Sequence, residues 1–342
     1  MLHESDIQVP WRSTIRRRYH ADYTDYAWHV DFNCKLVEYR VYLHACVDGR
    51  SRMVLWNEVT TDTRSITTYP FFARVARQRG RPDQLVMDAG HENRLMALAC
   101  YVSHYNIPED RRPARAPVKV VSSTRNNRIE RFWSEPNMRI SRYAKKFFLF
   151  LEFHFERTGP EWLTFNPVNP IELGALHRVF LPAIRILVDS VTRTRNRRNV
   201  QATRNAPGTG GVPSKLVVQH PRPAEKHLAW EDWSLDDIIE MHREAGFSHA
   251  LGEDDPRGKP GAPRRPVDPL ASFPAFSAQR DAQVNAAMDD VQRADHLMRG
   301  GDGKTPQEVG HWVALADVYA MDLRLTYELA EVTLGIHERF QV

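Results

Sequence analysis

The chain has 342 residues, of which 42% are hydrophobic and 26% charged, the composition of a globular protein and not of a wholly disordered one. It has no run of about 18 apolar residues to form a membrane-spanning helix, no N-terminal apolar stretch that reads as a secretory signal, and three cysteines, Cys34, Cys46 and Cys100, too widely spaced for a disulfide framework or a CxxC zinc site. The formal charge of +4 hides an asymmetry: residues 1–226 carry 36 Lys+Arg against 22 Asp+Glu, and the remaining 116 carry 11 against 21, so the front part is suited to a polyanionic partner.

Residues 1–25 are polar, with Arg16, Arg17 and Arg18 in a row, and read as a basic lead-in arm. Residues 26–60 hold three strand-like runs, AWHVDFNCKL, RVYLHACVD and RMVLWNEVT. A turn signal at Asp48-Gly49 joins the last two, which predicts an antiparallel meander. In 65–79, Phe71, Phe72, Val75 and Ala76 share a helical face. Pro70 suits a first turn, so this helix is expected to begin near residue 68 and to end at Gly80 and Pro82. The short apolar run Leu85-Val86-Met87 predicts a buried strand, broken by Asp88-Ala89-Gly90 and followed by a helix over roughly 92–105. PVKVV, 117–121, is another strand, and STRNNRIERFWSEPNMRISRY reads as a helix with Ser123 or Thr124 near its N-cap and a bend or interruption at Pro136.

The order β-β-β-α-β-α-β-α gives an α/β fold, a mixed five-stranded sheet flanked by helices, followed by a mainly helical C-terminal region. Residues 143–200 are helical with a breaker at Pro182, 204–215 form a loop, and WSLDDIIEMHREAGF, 233–247, is a short acidic amphipathic segment. Six prolines within 254–275 suggest a disordered linker, and two helices, about 276–299 and 305–339, complete the chain. The expected division is a basic arm (1–25), a core (26–145), a helical extension with a basic segment (146–226), an acidic segment (227–253), the linker (254–275) and the C-terminal helices (276–342).

Three acids stand where secondary structure can aim them inward. Asp31 sits inside the first strand, although strands are depleted in Asp. Asp88 ends the fourth, and Glu130 lies on the helix after the fifth. If strands one and four are neighbours, Asp31 and Asp88 stand side by side and Glu130 crosses the same end. Three carboxylates together repel unless a divalent cation neutralises them. Oxygen-only ligands favour Mg²⁺ or Mn²⁺ over zinc, and two such ions serve an in-line phosphoryl displacement. With 43 acidic residues many triples can be drawn, so spacing alone leaves open the alternative of a solvated acid on an exposed sheet face.

The surrounding residues say more. WHVD (28–31), DGRSR (48–52), DAGHEN (88–93) and NNRIERFW (126–133) occur in this order. Together they resemble the catalytic core of the retroviral-integrase and DDE-transposase superfamily, most nearly the integrase core domains of eukaryotic transposon-derived proteins. The resemblance covers about residues 15–220. It implies an RNase H-like fold, with Asp31, Asp88 and Glu130 as the metal-binding catalytic acids. It also implies Mg²⁺- or Mn²⁺-dependent breakage and joining of DNA strands, with two ions, and a homo-oligomer, dimer or tetramer, on DNA. The alternative is a domesticated, inactive DNA-binding or scaffold protein that keeps the fold. A reducing compartment, nuclear or cytoplasmic, is expected.

Several neighbours carry two readings. Asn126, one helical turn before Glu130, either contacts DNA or orients Glu130, or else bonds the helix start. Trp133 reads as a core anchor and Asp48 as a turn residue, while Glu92 and Asn93 suit a helix start. His29 is expected to point to the face opposite Asp31 and not to bind metal. Arg125, Arg128 and Arg131, spaced by three, are candidates to follow a phosphate backbone. So is a second cluster of Arg193, Arg195, Arg197, Arg198 and Arg204, which also reads as a nuclear import signal. Two features depart from the pattern: the Asp88–Glu130 gap holds 41 residues, lengthened by YNIPEDRRPARAP, and Arg50 stands where relatives often have an aromatic residue.

Overall fold

The computed structural model describes residues 19–158, 165–202, 210–245, 265–298 and 308–334. Five strands form one mixed sheet in the order β3-β2-β1-β4-β5: β1 Ala27–Leu36, β2 Val41–Asp48, β3 Val54–Thr60, β4 Gln84–Met87 and β5 Val118–Val120. The first three make the antiparallel meander, and β4 and β5 add in parallel beside β1. The β2–β3 turn is held by Asp48, whose fully buried carboxylate accepts from the Asp25, Arg50 and Ser51 N–H groups and the Ser51 hydroxyl. It is therefore the turn residue its sequence suggested. Gly49 allows the chain to pass against the start of β1, since a Cβ there would lie 3.0 Å from the Ala27 carbonyl oxygen and closer still to the Tyr19 hydroxyl.

Helices cover both faces. On one side α1 (Ser65–Arg79), α2 (Arg94–Tyr105) and α7 (Leu235–Glu244) enclose a core of Trp28, Val30, Cys46, Trp56, Phe72, Leu85, Met96 and Ile238. On the other, α3 (Asn127–Pro136), α4 (Arg142–Thr158) and α5 (Pro170–Arg197) pack Ile129, Phe132, Trp133, Phe148 and Phe180 against Leu43, Ala45 and Val47. This second core continues into α9 (Glu308–Leu334), where Trp312 stacks on Phe180 and Tyr319 is fully buried, with α8 (Pro274–Met298) alongside. Short α6 (Pro213–Gln219) follows α5. Among the described residues no helix is long and apolar enough to cross a membrane.

Several boundaries differ from expectation. Helix α1 starts at Ser65, not near 68, with Pro70 inside it. Its first turn is anchored from outside: the Ser65 hydroxyl accepts the Leu95 N–H, and Thr68 donates to the Glu92 carbonyl. Neither Ser123 nor Thr124 caps α3. They form a 3₁₀ turn, and α3 begins at Asn127. Pro136 ends α3 in a π turn, Asn137–Ser141, before α4. Pro182 does not break α5, which runs unbroken through it, because burial of Val179, Phe180 and Ile184 offsets the roughly 3 kcal/mol of an internal proline. The expected linker lies outside the described residues up to 264, but from there it is docked. Val267 N–H donates to the Pro170 carbonyl, Leu270 is fully buried, and Asp268 pairs with buried Arg280 at 2.7 Å. Gly174 permits this approach, since a Cβ there would meet the Val267 carbonyl at 2.8 Å.

Candidate active site

Parallel pairing sets His29 opposite Val86, so two residues further along each strand Asp31 and Asp88 come level. Residues directly opposite in a sheet share a face, which here is the α3 face. Asp31 is buried, and Trp133 Nε1 donates to its Oδ2 at 2.9 Å. Asp88 is half-buried where the chain leaves β4, and its Oδ1 accepts from the Gly90 N–H at 3.2 Å and Asn93 Nδ2 at 3.3 Å. Glu130 is exposed on α3 and accepts from the Ser123 hydroxyl at 3.0 Å.

What fixes α3 over the sheet is a row of polar pairs, one for each inward residue of β1. Asn126 Nδ2 donates to the Val30 carbonyl at 3.0 Å, which leaves its Oδ1 to accept from His29 Nδ1 at 2.7 Å. The Tyr19 hydroxyl then donates to His29 Nε2 at 2.9 Å. Next along the strand comes Asp31 with Trp133, and after it Asn33 with Asn137, 2.6 Å apart. His29 thus lies on the same face as Asp31, not the opposite one. Strand side chains alternate with period two, so residues 29 and 31 must share a face. Both ring nitrogens of His29 are engaged in hydrogen bonds.

Electrostatics couple the acids. Burial raises the Asp31 pKa to about 7, the charges of Asp88 and Glu130 push the same way, and the Trp133 hydrogen bond opposes them. Burial lowers His29 to about 4, against its bond to Asn126 and aided by the charges of Arg128 and Lys119, so the ring is neutral at physiological pH. A buried carboxylate destabilised by two neighbouring anions is the setting a cation relieves, and an all-oxygen donor set suits Mg²⁺ or Mn²⁺. Among the described residues, however, no three His, Cys, Asp or Glu side chains already stand round one point as ligands.

The candidate basic residues divide. Arg125 is exposed in the 3₁₀ turn, off the α3 helix, so it does not continue a stripe with the others. Arg128 is buried beneath the Tyr19 ring, 4.1 Å from its centroid, and Arg131 is exposed. At the end of α5, Arg195 and Arg198 turn toward Glu135, while Arg193 and Arg197 are exposed. Arg204 lies outside the described residues. Sequence reasoning missed Tyr19, Asn33, Asn137 and the bond from Trp133 to Asp31. The i, i+2 pattern His29-Asp31-Asn33 was the available signal for a polar inward face.

The solved structures similar to this chain include two of retroviral integrases. One is the HTLV-2 integrase catalytic core domain in complex with magnesium, in a trimeric form: 15% identity, covering 58% of this chain and 99% of that one, TM-score 0.35. The other is the simian T-cell lymphotropic virus intasome in complex with PP2A regulatory subunit B56 gamma: 14% identity, 61% and 59% covered, TM-score 0.36. No curated protein matches the chain. The family model described as integrase core domain matches residues 18–218. With that match over more than half of its length, the chain belongs to the integrase core domain family.

Proposed function

We propose that this protein is a polynucleotidyl transferase of the integrase and transposase type, cutting and joining DNA strands with Asp31, Asp88 and Glu130. The observation that carries this reading is a buried strand carboxylate, Asp31, held by Trp133 Nε1 at 2.9 Å, with the charges of Asp88, just after β4, and of Glu130, on α3, acting on it. Asp31 and Asp88 would hold the divalent metal from the sheet side, and Glu130 would complete the site from the helix. When bound, the metal neutralises the carboxylates and polarises the attacking and leaving oxygens of the phosphodiester. Trp133 keeps Asp31 in one rotamer, and the Tyr19–His29–Asn126 chain keeps the start of α3, and so Glu130, at its height above β1. Water and then a DNA 3′-hydroxyl act as nucleophiles, and the arginines of α3 and of the end of α5 meet the DNA backbone, on a homo-oligomeric assembly.

The test is nicking of supercoiled plasmid with Mg²⁺ or Mn²⁺, wild type against Asp88→Asn. Metal-dependent nicking that falls more than about 100-fold in the variant, beyond the 10–100-fold typical of outer residues, supports the reading. A second reading, a DNA-binding or scaffold protein with the enzymatic fold retained, draws on the absence of a ready-made ligand cluster among the described residues. Well-folded wild type that binds DNA and leaves plasmid intact with either metal would establish it instead.

A further inference from the structure

The fold gathers arginines that are far apart in sequence. Arg52 comes from the β2–β3 turn, Arg128 and Arg131 from α3, and Arg195 and Arg198 from the end of α5. Arg52 is 6% exposed and held at φ 61°, a left-handed conformation disfavoured for a side chain of its size. Its Nη1 donates to the Gln201 carbonyl at 2.7 Å. Arg128 is 8% exposed, and among the described residues its Nη2 has no hydrogen-bond partner; neither does the buried Nε of Arg195. Glu135 faces this group, 3.1 Å from Arg198, 3.6 Å from Arg195 and 3.6 Å from Arg139. Asp48 also acts on Arg128, but its oxygens are already taken by the turn.

Positive charge is in clear excess here. Burial, and then the charges of Arg128, Arg131 and Arg195, lower the Arg52 pKa to about 10, and burial lowers those of Arg128 and Arg195 as well. A fold keeps buried like charges together when something of opposite sign joins them. The guanidinium fork matches phosphate oxygens in pairs. The location argues for a nucleic-acid phosphate. The exposed face of α3 is formed by Asn127, Glu130, Arg131 and Ser134. At 100° per residue, Glu130 lies at one edge of that face and Arg131 at the other, with Arg128 and Glu135 just beyond. A strand laid over α3 meets Glu130 on one side and the arginines on the other.

We propose that Arg52, Arg128, Arg131, Arg195 and Arg198 form one built clamp for a nucleic-acid backbone phosphate, across α3 from Glu130, with Glu135 holding the Arg195 and Arg198 forks in place beforehand. The clamp rests on the DNA-handling reading for its ligand but not on any strand chemistry. It separates the basic residues into two classes. Arg131, Arg195 and Arg198 belong to the clamp, whereas the exposed Arg125 and Arg197 stand outside it.

The experiment is fluorescence anisotropy of a labelled DNA duplex over a salt series in EDTA, with each variant first checked for an unchanged thermal melt. Each of Arg131→Ala and Arg198→Ala is expected to lower the slope of log K against log salt by about 0.9, one phosphate contact, and Arg131→Lys to restore it. Arg125→Ala and Arg197→Ala are expected to change it less. Arg52→Lys and Arg128→Lys join the series where they fold, and the exposed positions decide the matter where they do not. Wild-type slopes in Arg131→Ala and Arg198→Ala, equal losses in Arg125→Ala and Arg197→Ala, or no binding by wild type would each overturn the clamp. Because EDTA removes the metal, an altered slope without plasmid nicking sinks only the catalytic reading, and nicking with unaltered slopes sinks only the clamp.

Discussion

The two faces of β1 are buried by opposite means. Toward α1 and α2 the strand presents Trp28 and Val30, which meet Phe72, Leu85 and Trp56 in an apolar core, with edge-to-face aromatic contacts at 5.8 and 6.2 Å. Toward α3 it presents His29, Asp31 and Asn33, each buried and each hydrogen-bonded to α3 or to its flanking turns. Both faces exclude water, but the first is stabilised mainly by burial, with the Trp28 and Trp56 indole N–H groups bonded to Asp25 and His44. The second must satisfy every polar group it takes from solvent, and it leaves Asp31 with a carboxyl that burial makes hard to ionise. The lesson is that a polar inward row on an otherwise apolar central strand marks the face that works.

This contrast is most easily broken from the apolar side. Trp28→Ala removes a side chain with no exposed surface and is expected to destabilise by about 3–5 kcal/mol, read as a fall in urea midpoint without a change in slope. Asp31→Asn should act in the other direction. The folded protein keeps the Asp31 proton up to about pH 7, while an ordinary Asp releases it near 3.8. Metal-free stability therefore falls as pH rises through that window, and the variant, free of this penalty, is expected to gain up to about 4 kcal/mol above pH 7. A pH series of melts without metal checks it. A variant no more stable than wild type at pH 8 would show that Asp31 ionises normally.

Trp133→Phe keeps most of the packing and removes the Nε1 donor to Asp31, so a loss of about 1–3 kcal/mol is expected. Metal-dependent nicking should fall about 10–100-fold, because the carboxylate is then free to turn. A variant with the stability loss and full nicking would reduce Trp133 to a core anchor. The smallest effect belongs to neither face. Lys145→Ala breaks a partly exposed pair with Glu38 at 2.8 Å and is expected to change stability by less than about 1 kcal/mol.

Much of this was legible beforehand for a physical reason. Alternation in AWHVDFNCKL, the Asp48-Gly49 turn and the breaks at Gly80 and Gly90 are local signals, and the strands and most helices follow them. Boundaries failed where tertiary partners replaced local ones. Ser65 bonds Leu95 across the chain, so α1 starts before its proline, and α5 passes Pro182 because its apolar residues are buried along its length. The segment from Val267 to Leu270 reads as linker by composition, yet it docks through Gly174 and Arg280, residues no local pattern connects to it.

By itself the sequence determined which acids, which turns and which basic residues exist, because these depend on neighbours within a few positions. Only the tertiary structure decided that β4 pairs beside β1 and levels Asp88 with Asp31, and that Trp133 and Asn126 reach back across about a hundred residues to hold β1. It alone decided that Arg52 joins arginines of α3 and α5 while Arg125 and Arg197 stay in solvent. Such pairings have no local signature, since they follow from how the helices cover the sheet and which polar groups that burial obliges to find partners.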